Sequence, residues 1–357
     1  MNDESNEKGK TMMKKHGTWS EIRTDLALEA RESFPGEGGE IHGVEVREWI
    51  ANGADITITE VVVMNKQGED AMGKPIGTYL TLETPGLAEK DKDFHQEVVR
   101  ELAKQIRKLM ELHHLKSGSC ETEPAELSNT RMETTQEQCV PSVLVVGLGN
   151  MAAAPDSLGP RVLGNLQVTR HLSLEYGKMF CERNGYPVLS GLVPGVMAQT
   201  GMETAEIVSG VVNETKPDLL IVVDALAARS AKRLGTTIQL SDTGIHPGSG
   251  VGNHRRGMTE EIFHIPVLAI GVPTVIGAAA VVQDTIGAMV KALNQEKATE
   301  QYGTYVESLD VEEQYALIRE VLEPEFGPMY VTPHDIDERV KQLSYTISEA
   351  IHEALFR

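Results

Sequence analysis

Aromatic side chains are scarce in this sequence, at 4% of 357 residues. Its core must therefore be assembled from Val, Ile, Leu, Ala and Met, a mixture that suits a parallel sheet packed closely by helices. Cysteine is equally sparse. Cys120, Cys139 and Cys181 form an odd set without ligand spacing, which excludes a disulfide framework or a zinc ribbon and points to a reducing interior. Positive charge is in deficit, with 33 Lys and Arg against 53 Asp and Glu for a net charge of −20. That balance argues against direct nucleic-acid binding, which needs cations to displace phosphate counterions, and against anionic membrane surfaces; the short basic run His254-Arg255-Arg256 does not offset it. Long apolar runs are also missing. The longest, Val267 to Val282, contains Gly271 and Pro273 and falls short of the roughly 20 residues of a membrane span. Met1 to Lys15 is charged and carries no apolar segment of the secretory type, so a cytoplasmic setting is expected.

What the chain does have is an α/β pattern. Apolar residues at 40% are enough for a real core. The piece Ile56–Val63 and the piece Tyr79–Leu82 read as strands of an antiparallel pair in a β-rich N-terminal extension over about 40–85. Val98, Val99, Leu102, Ile106, Leu109 and Met110 recur at helical spacing and predict a helix over about 94–113. A stretch rich in Ser, Thr and Glu, about 115–139, reads as a polar surface loop. From residue 142 the pattern alternates. Val143–Gly147 and Leu219–Val223 are short apolar runs of the kind buried in parallel sheets, and Thr237–Leu240 and Val267–Ile270 are two further strands. Helical spacing links Leu158, Val162, Leu163 and Leu166, and Glu203–Val212 forms another helix. The stripe Val340, Leu343, Ile347, Ile351 and Leu355 marks a closing helix, which Thr332-Pro333-His334-Asp335 opens like a capping box. Together these predict a doubly wound, mostly parallel sheet flanked by helices, with a smaller antiparallel layer from the N-terminal part.

In such sheets ligands bind beyond the carboxyl ends of the strands. Strand 143–147 runs toward Gly147-Leu148-Gly149-Asn150 and Asp156, strand 219–223 into Asp224, strand 237–240 into Ser241–Asn253, and strand 267–270 into Gly271-Val272-Pro273-Thr274. Four loops are thus expected at one crevice. Asp224 and Asp156 each also read as an N-cap, Asp224 for a helix over Ala225–Arg229. Taken together they are a carboxylate pair that shares a proton, with one member to activate water and the other to protonate a departing amine. Asn150, Arg229, Asp242 and His246 are the supporting or substrate-binding candidates: Arg229 as an ion-pair partner for Asp224, His246 as a spare acid, base or ligand in a Gly-rich wall. Two alternatives stand beside this. A metal held by Asp156, Asp224 and His246 would supply the nucleophile as bound water; otherwise no cofactor is expected. A nucleotide would use Gly147 and Gly149, which match G-x-G-x-x-A, although no acidic residue ends a second strand about 20 residues on. No Gly-x-Ser-x-Gly elbow is present, which counts against a serine hydrolase.

Several long pieces resemble one family. They are Arg23–Ala27, Gly77–Glu83, Val145–Asn150, Pro155–Pro160, Val168–Leu172, Pro194–Met197, Asp224–Ser230, Ser241–Asn253 and Gly271–Val275, within a resemblance that spans about residues 20 to 355. They resemble the germination proteases of spore-forming bacteria, endopeptidases that degrade small acid-soluble spore proteins. The resemblance implies catalytic aspartates at Asp156 and Asp224, and a zymogen that removes its own N-terminal segment. It implies that the cut falls between Asp25 and Leu26, leaving 26–357 as one peptidase domain. It also implies a homotetramer, action in the spore core, and a central sheet similar to that of the hydrogenase-maturation endopeptidases, which bind metal through carboxylates and a histidine. The polar segment at 115–139 is longer than the family's, and the region near 295–310 is shorter.

Overall fold

The computed structural model describes residues 24–32, 41–51, 55–88, 92–113, 115, 141–248, 255–295 and 311–356. The expected propeptide, except Thr24 and Asp25, and the polar stretch from 116 to 139 lie outside these residues, as do 249–254 of the Gly-rich loop.

The strands are β1 (Val44–Ile50), β2 (Thr57–Val63), β3 (Gly77–Glu83), β4 (Ser142–Gly147), β5 (Val188–Leu192), β6 (Leu219–Ala228), β7 (Thr237–Ser241), β8 (Val267–Gly277) and β9 (Tyr330–Val331). The helices are α1 (Ala27–Glu32), α2 (Lys66–Met72), α3 (Lys92–Leu112), α4 (Leu158–Asn165), α5 (Arg170–Tyr176), α6 (Lys178–Arg183) and α7 (Met197–Thr200). They continue with α8 (Thr204–Thr215), α9 (Glu260–Phe263), α10 (Ala278–Gln295), α11 (Val311–Phe326) and α12 (Ile336–Leu355).

All strands join one mixed sheet in the order β1-β2-β3-β7-β8-β6-β4-β5, with β9 paired to β8. β8, β6, β4 and β5 are parallel. The antiparallel strands of the N-terminal part are continuous with that core through β7, which runs antiparallel to both β3 and β8. Alternation along β4 and β6 sends residues to opposite faces. Val143, Val145, Leu219, Ile221 and Val223 enter the core shared with α3, α4 and α12. Leu144, Val146, Leu220 and Val222 enter the core shared with α8 and α9. Because both faces are covered, these strands are apolar throughout rather than alternating. The stripe on α12 is fully used, with Val340, Leu343, Ile347 and Ile351 without exposed surface. The helix itself begins at Ile336, and the Thr332 hydroxyl donates to the Thr274 carbonyl (2.8 Å) instead of closing a capping box.

Two strands run further than their apolar cores imply. β6 continues through Ala225–Ala228 and β8 through Gly271–Gly277. Ala225-Leu226-Ala227-Ala228 has helical composition, but its pairing with Val272–Ile276 holds it extended, so Asp224 sits within a strand and caps no helix. Pro273 fits β8 because the prolyl carbonyl serves instead, accepting the Gly235 N–H (2.9 Å).

Candidate functional site

The direction of the chain changes beside β4. β5 lies on one side of it and β6 on the other, so the gap at the carboxyl ends of β4 and β6 is the switch point where such sheets open. β4 ends at Gly147 opposite Val223, while β6 and β8 carry on past it. Asp224 follows Leu220 and Val222 on the same face of β6, just beyond the cover of α8. Asp156 arrives from the loop after β4, in a single 3-10 turn, Ala154–Asp156, with Ser157 preceding α4.

The glycines of this loop have a packing role. Gly149 has φ +111°, and a Cβ there would lie 2.0 Å from the Asp156 carbonyl oxygen. A Cβ on Gly147 would lie 2.3 Å from the Gly159 carbonyl oxygen. The Asn150 N–H is committed to Asp156, to its carboxylate Oδ2 at 2.9 Å and its carbonyl oxygen at 3.0 Å. The Asn150 side-chain oxygen accepts from the Ala152 N–H (3.0 Å) and from Gln199 Nε2 (3.1 Å). The loop is thus folded around Asp156 rather than around an open anion cradle.

Asp156 and Asp224 open into one crevice of about 470 Å³, lined also by Asp25, Arg255, Thr204 and Thr274. Asp224 is 6% exposed. Burial, then the negative charges of Asp156 and Asp25, push its carboxyl well above the ordinary aspartate range; the Ala225 N–H bond (2.9 Å) and Arg255 act the other way. Asp156 is half-buried and also raised by burial, while the Asn150 N–H and Arg255 favour its ionised form. Asp224 is therefore the member that keeps a proton and Asp156 the member that ionises first.

The supporting candidates are dispersed. Arg229 does not line the crevice; its backbone N–H donates to Glu29 (2.8 Å). Asp242 leaves β7 at the opposite end of the sheet, because β7 is antiparallel to β8, and its carboxylate accepts the Thr78 N–H (2.7 Å). Among the described residues of that loop, Pro247 and Gly248, where it returns, are the ones that reach the crevice. Of the four segments expected as loops, only the one after β4 reaches the crevice directly as a loop; Asp224 and Thr274 reach it from within the extended strands β6 and β8, and the described part of the fourth arrives by doubling back. His246 opens into a neighbouring cavity with Lys74, Gln239 and Asp25. Burial, and next the Lys74 charge, hold it below the ordinary histidine range and so neutral. Among the described residues no three His, Cys, Asp or Glu side chains are grouped to hold a metal ion.

Asp25 lines both cavities, and Leu26 is packed beneath it. Asp25 pairs with the edge of β6 that β4 leaves open: its N–H donates to the Ala227 carbonyl (3.3 Å) and its carboxylate accepts the Ala227 N–H (2.9 Å). Leu26 is fully buried against Leu226, Ala228, Leu234, Ile276 and Ala280. Glu29, 1% exposed, accepts N–H bonds from Arg229 and Ser230, pairs with Arg233 (3.3 Å) and is also bonded by the Thr24 hydroxyl. Sequence reasoning missed Lys74, Gln239 and Arg255. Lys74 and Gln239 carry no local signal, and Arg255 was set aside within a run of basic residues too short to mark a surface.

The model of the germination protease family matches residues 22–304. A germination protease of Caldanaerobacter subterraneus subsp. tengcongensis is 45% identical over 339 residues, covering 94% of each chain. One of Clostridium tetani is 40% identical, covering 94% of this chain and 95% of its own. One of Bacillus cereus is 37% identical, covering 94% of this chain and 93% of its own. No helix among the described residues is long and apolar enough to cross a membrane. Matched over most of its length by that family and by relatives well above 30% identity, the chain belongs to the germination protease family.

Proposed function

We propose that this protein is an endopeptidase that begins the breakdown of small acid-soluble spore proteins at germination, using Asp156 and Asp224 as an acid–base pair. The observation that carries the mechanism is that buried Asp224 and half-buried Asp156 open into one crevice, where burial raises both carboxyls and Asp224 the further. Asp156 takes a proton from water as the water attacks the peptide carbonyl, and Asp224 gives its proton to the departing nitrogen. The pair then exchanges a proton and is reset. The reading needs no cofactor.

The same reading includes self-processing. Asp25-Leu26-Ala27 combines an acidic residue, an apolar residue and Ala, meets the crevice at Asp25, and carries the bond whose cleavage would free residues 1–25. The mature enzyme, 26–357, would act as a homotetramer in the spore core.

The test is cleavage of an acidic spore-type peptide by wild type, Asp156→Asn and Asp224→Asn, each with and without chelator, read by mass spectrometry. Both variants are expected to lose about 10²–10⁴-fold in rate, the usual contribution of a positioned acid or base, and chelator is expected to have no effect. Survival of cleavage in either variant would remove the pair from the mechanism. Loss on chelation with recovery on adding metal would replace it with the metal reading.

A further inference from the structure

The carbonyl oxygen of Asp25 is held from two sides. Lys74 Nζ donates to it at 2.9 Å and Gln239 Nε2 at 3.3 Å. Lys74 also reaches the Thr24 carbonyl at 3.3 Å. The opposite end of the Gln239 amide, Oε1, accepts the Ala27 N–H at 2.7 Å. One side chain thus spans the Asp25–Leu26 peptide bond, gripping the residue on each side, while the Lys74 Nζ rests on its oxygen. The Leu26 N–H is bonded separately, to the Thr24 hydroxyl at 3.1 Å.

A structural anchor does not require this chemistry. A neutral peptide oxygen is satisfied by ordinary N–H donors, and even a half-buried ammonium loses hydration that it must recover elsewhere. Burial of the Lys74 ammonium disfavours its charged form, and the carboxylates of Asp25 and Glu29 work to restore it. Two donors converge on one carbonyl oxygen, one of them the amine of half-buried Lys74, and this is the arrangement that stabilises an oxyanion. The bond they hold is next to the crevice of Asp156 and Asp224, since Asp25 lines both cavities.

We propose that Lys74 and Gln239 form the oxyanion-binding site for self-cleavage at Asp25–Leu26, which makes Lys74 a catalytic residue of maturation. The proposal rests on the reading that this bond is cut. Water oxygen bonds to the Asp25 carbonyl carbon, one water proton passes to ionised Asp156, and the carbonyl electron pair moves onto the oxygen between Lys74 and Gln239. When that pair returns, the C–N bond breaks with its electrons on the Leu26 nitrogen, which takes the Asp224 proton. The remaining water proton is released as the new Asp25 carboxyl group ionises.

The experiment follows the intact mass of the purified full chain over time for wild type, Lys74→Met, Lys74→Arg and Gln239→Glu, with melting temperatures measured alongside. Wild type is expected to convert to the 26–357 form. Lys74→Met is expected to convert about 10²–10³-fold more slowly, the usual loss on removing one oxyanion donor. Lys74→Arg, which keeps a cationic donor, is expected to recover to within about tenfold of wild type. Gln239→Glu keeps the acceptor for Ala27 but loses the donor to Asp25, and is expected to be slowed as well. A Lys74→Met chain that melts like wild type and matures at the wild-type rate would overturn the proposal. Should Lys74→Met fail to fold, a Lys74→Arg chain no faster than background, or a Gln239→Glu chain at the wild-type rate, would overturn it instead. A wild-type chain that never loses residues 1–25 would refute the self-processing reading itself, an outcome visible without any variant.

Discussion

Asp224 is the residue on which stability and chemistry pull in opposite directions. In the unfolded chain it titrates as an ordinary aspartate, near pH 4; in the folded protein burial and two neighbouring carboxylates push it well above that. Below the ordinary value both states hold the proton and the group favours neither. As pH rises past it, the unfolded chain gives up its proton while folded Asp224 does not, so stability falls until the raised folded value is passed. Asp224→Asn cannot ionise. Urea unfolding at a series of pH values is therefore expected to show wild type losing stability from about pH 4 toward neutrality, with a visibly shallower slope in Asp224→Asn. A variant that is inactive yet more stable at neutral pH is the signature of a strained catalytic group. Equal slopes would mean that Asp224 titrates normally.

At the scale of elements, Arg233 ties the α1 part of the segment Thr24–Glu32 to the sheet. Arg233 contacts Glu29, Glu32 and Glu83 with its side chain 11% exposed, and Glu29 is enclosed under it. Removing one partner of a buried pair leaves a charge unpaired, at a cost of roughly 3–5 kcal/mol. Because Glu29 keeps the Arg229 and Ser230 N–H bonds, Arg233→Met is expected near the lower bound, about 3 kcal/mol. Denaturant unfolding measures this, and limited proteolysis should find α1 cut first. A loss below about 1 kcal/mol would make the pair a minor contributor. Element identity was largely legible beforehand: the runs at 143–147 and 219–223, the α3 spacing and the α12 stripe each become the expected strand or helix. Element length was less so. Ala225–Ala228 gives no strand signal of its own, and only pairing to β8 extends it.

For the molecule as a whole, assembly is the property to measure. The proposed homotetramer predicts, for the 39.0 kDa chain, a sedimenting species of about four chain masses at micromolar concentration, since closed symmetric assemblies are the rule for soluble oligomers. A monomer at that concentration would count against it. The acidic surface, with a net charge of −20, predicts tighter assembly at higher salt, as screening relieves repulsion between like-charged subunits.

The sequence alone determined the apolar strand cores, the helices that cover them, and the approach of Asp156 and Asp224 to one crevice beyond β4, because each rests on local periodicity and on strand direction in a parallel sheet; that β6 runs on past Asp224 was not legible. Strand direction in the mixed region was decided only by tertiary structure. β7 runs against β8, and this carries Asp242 to the far end of the sheet and directs His246 into a second cavity. The grip of Lys74 and Gln239 on Asp25 is likewise tertiary, joining positions far apart in the chain through contacts that no spacing encodes. Local pattern reports which residues are buried; which buried residues meet depends on the order and sense of the strands, and that is settled by packing across the whole sheet.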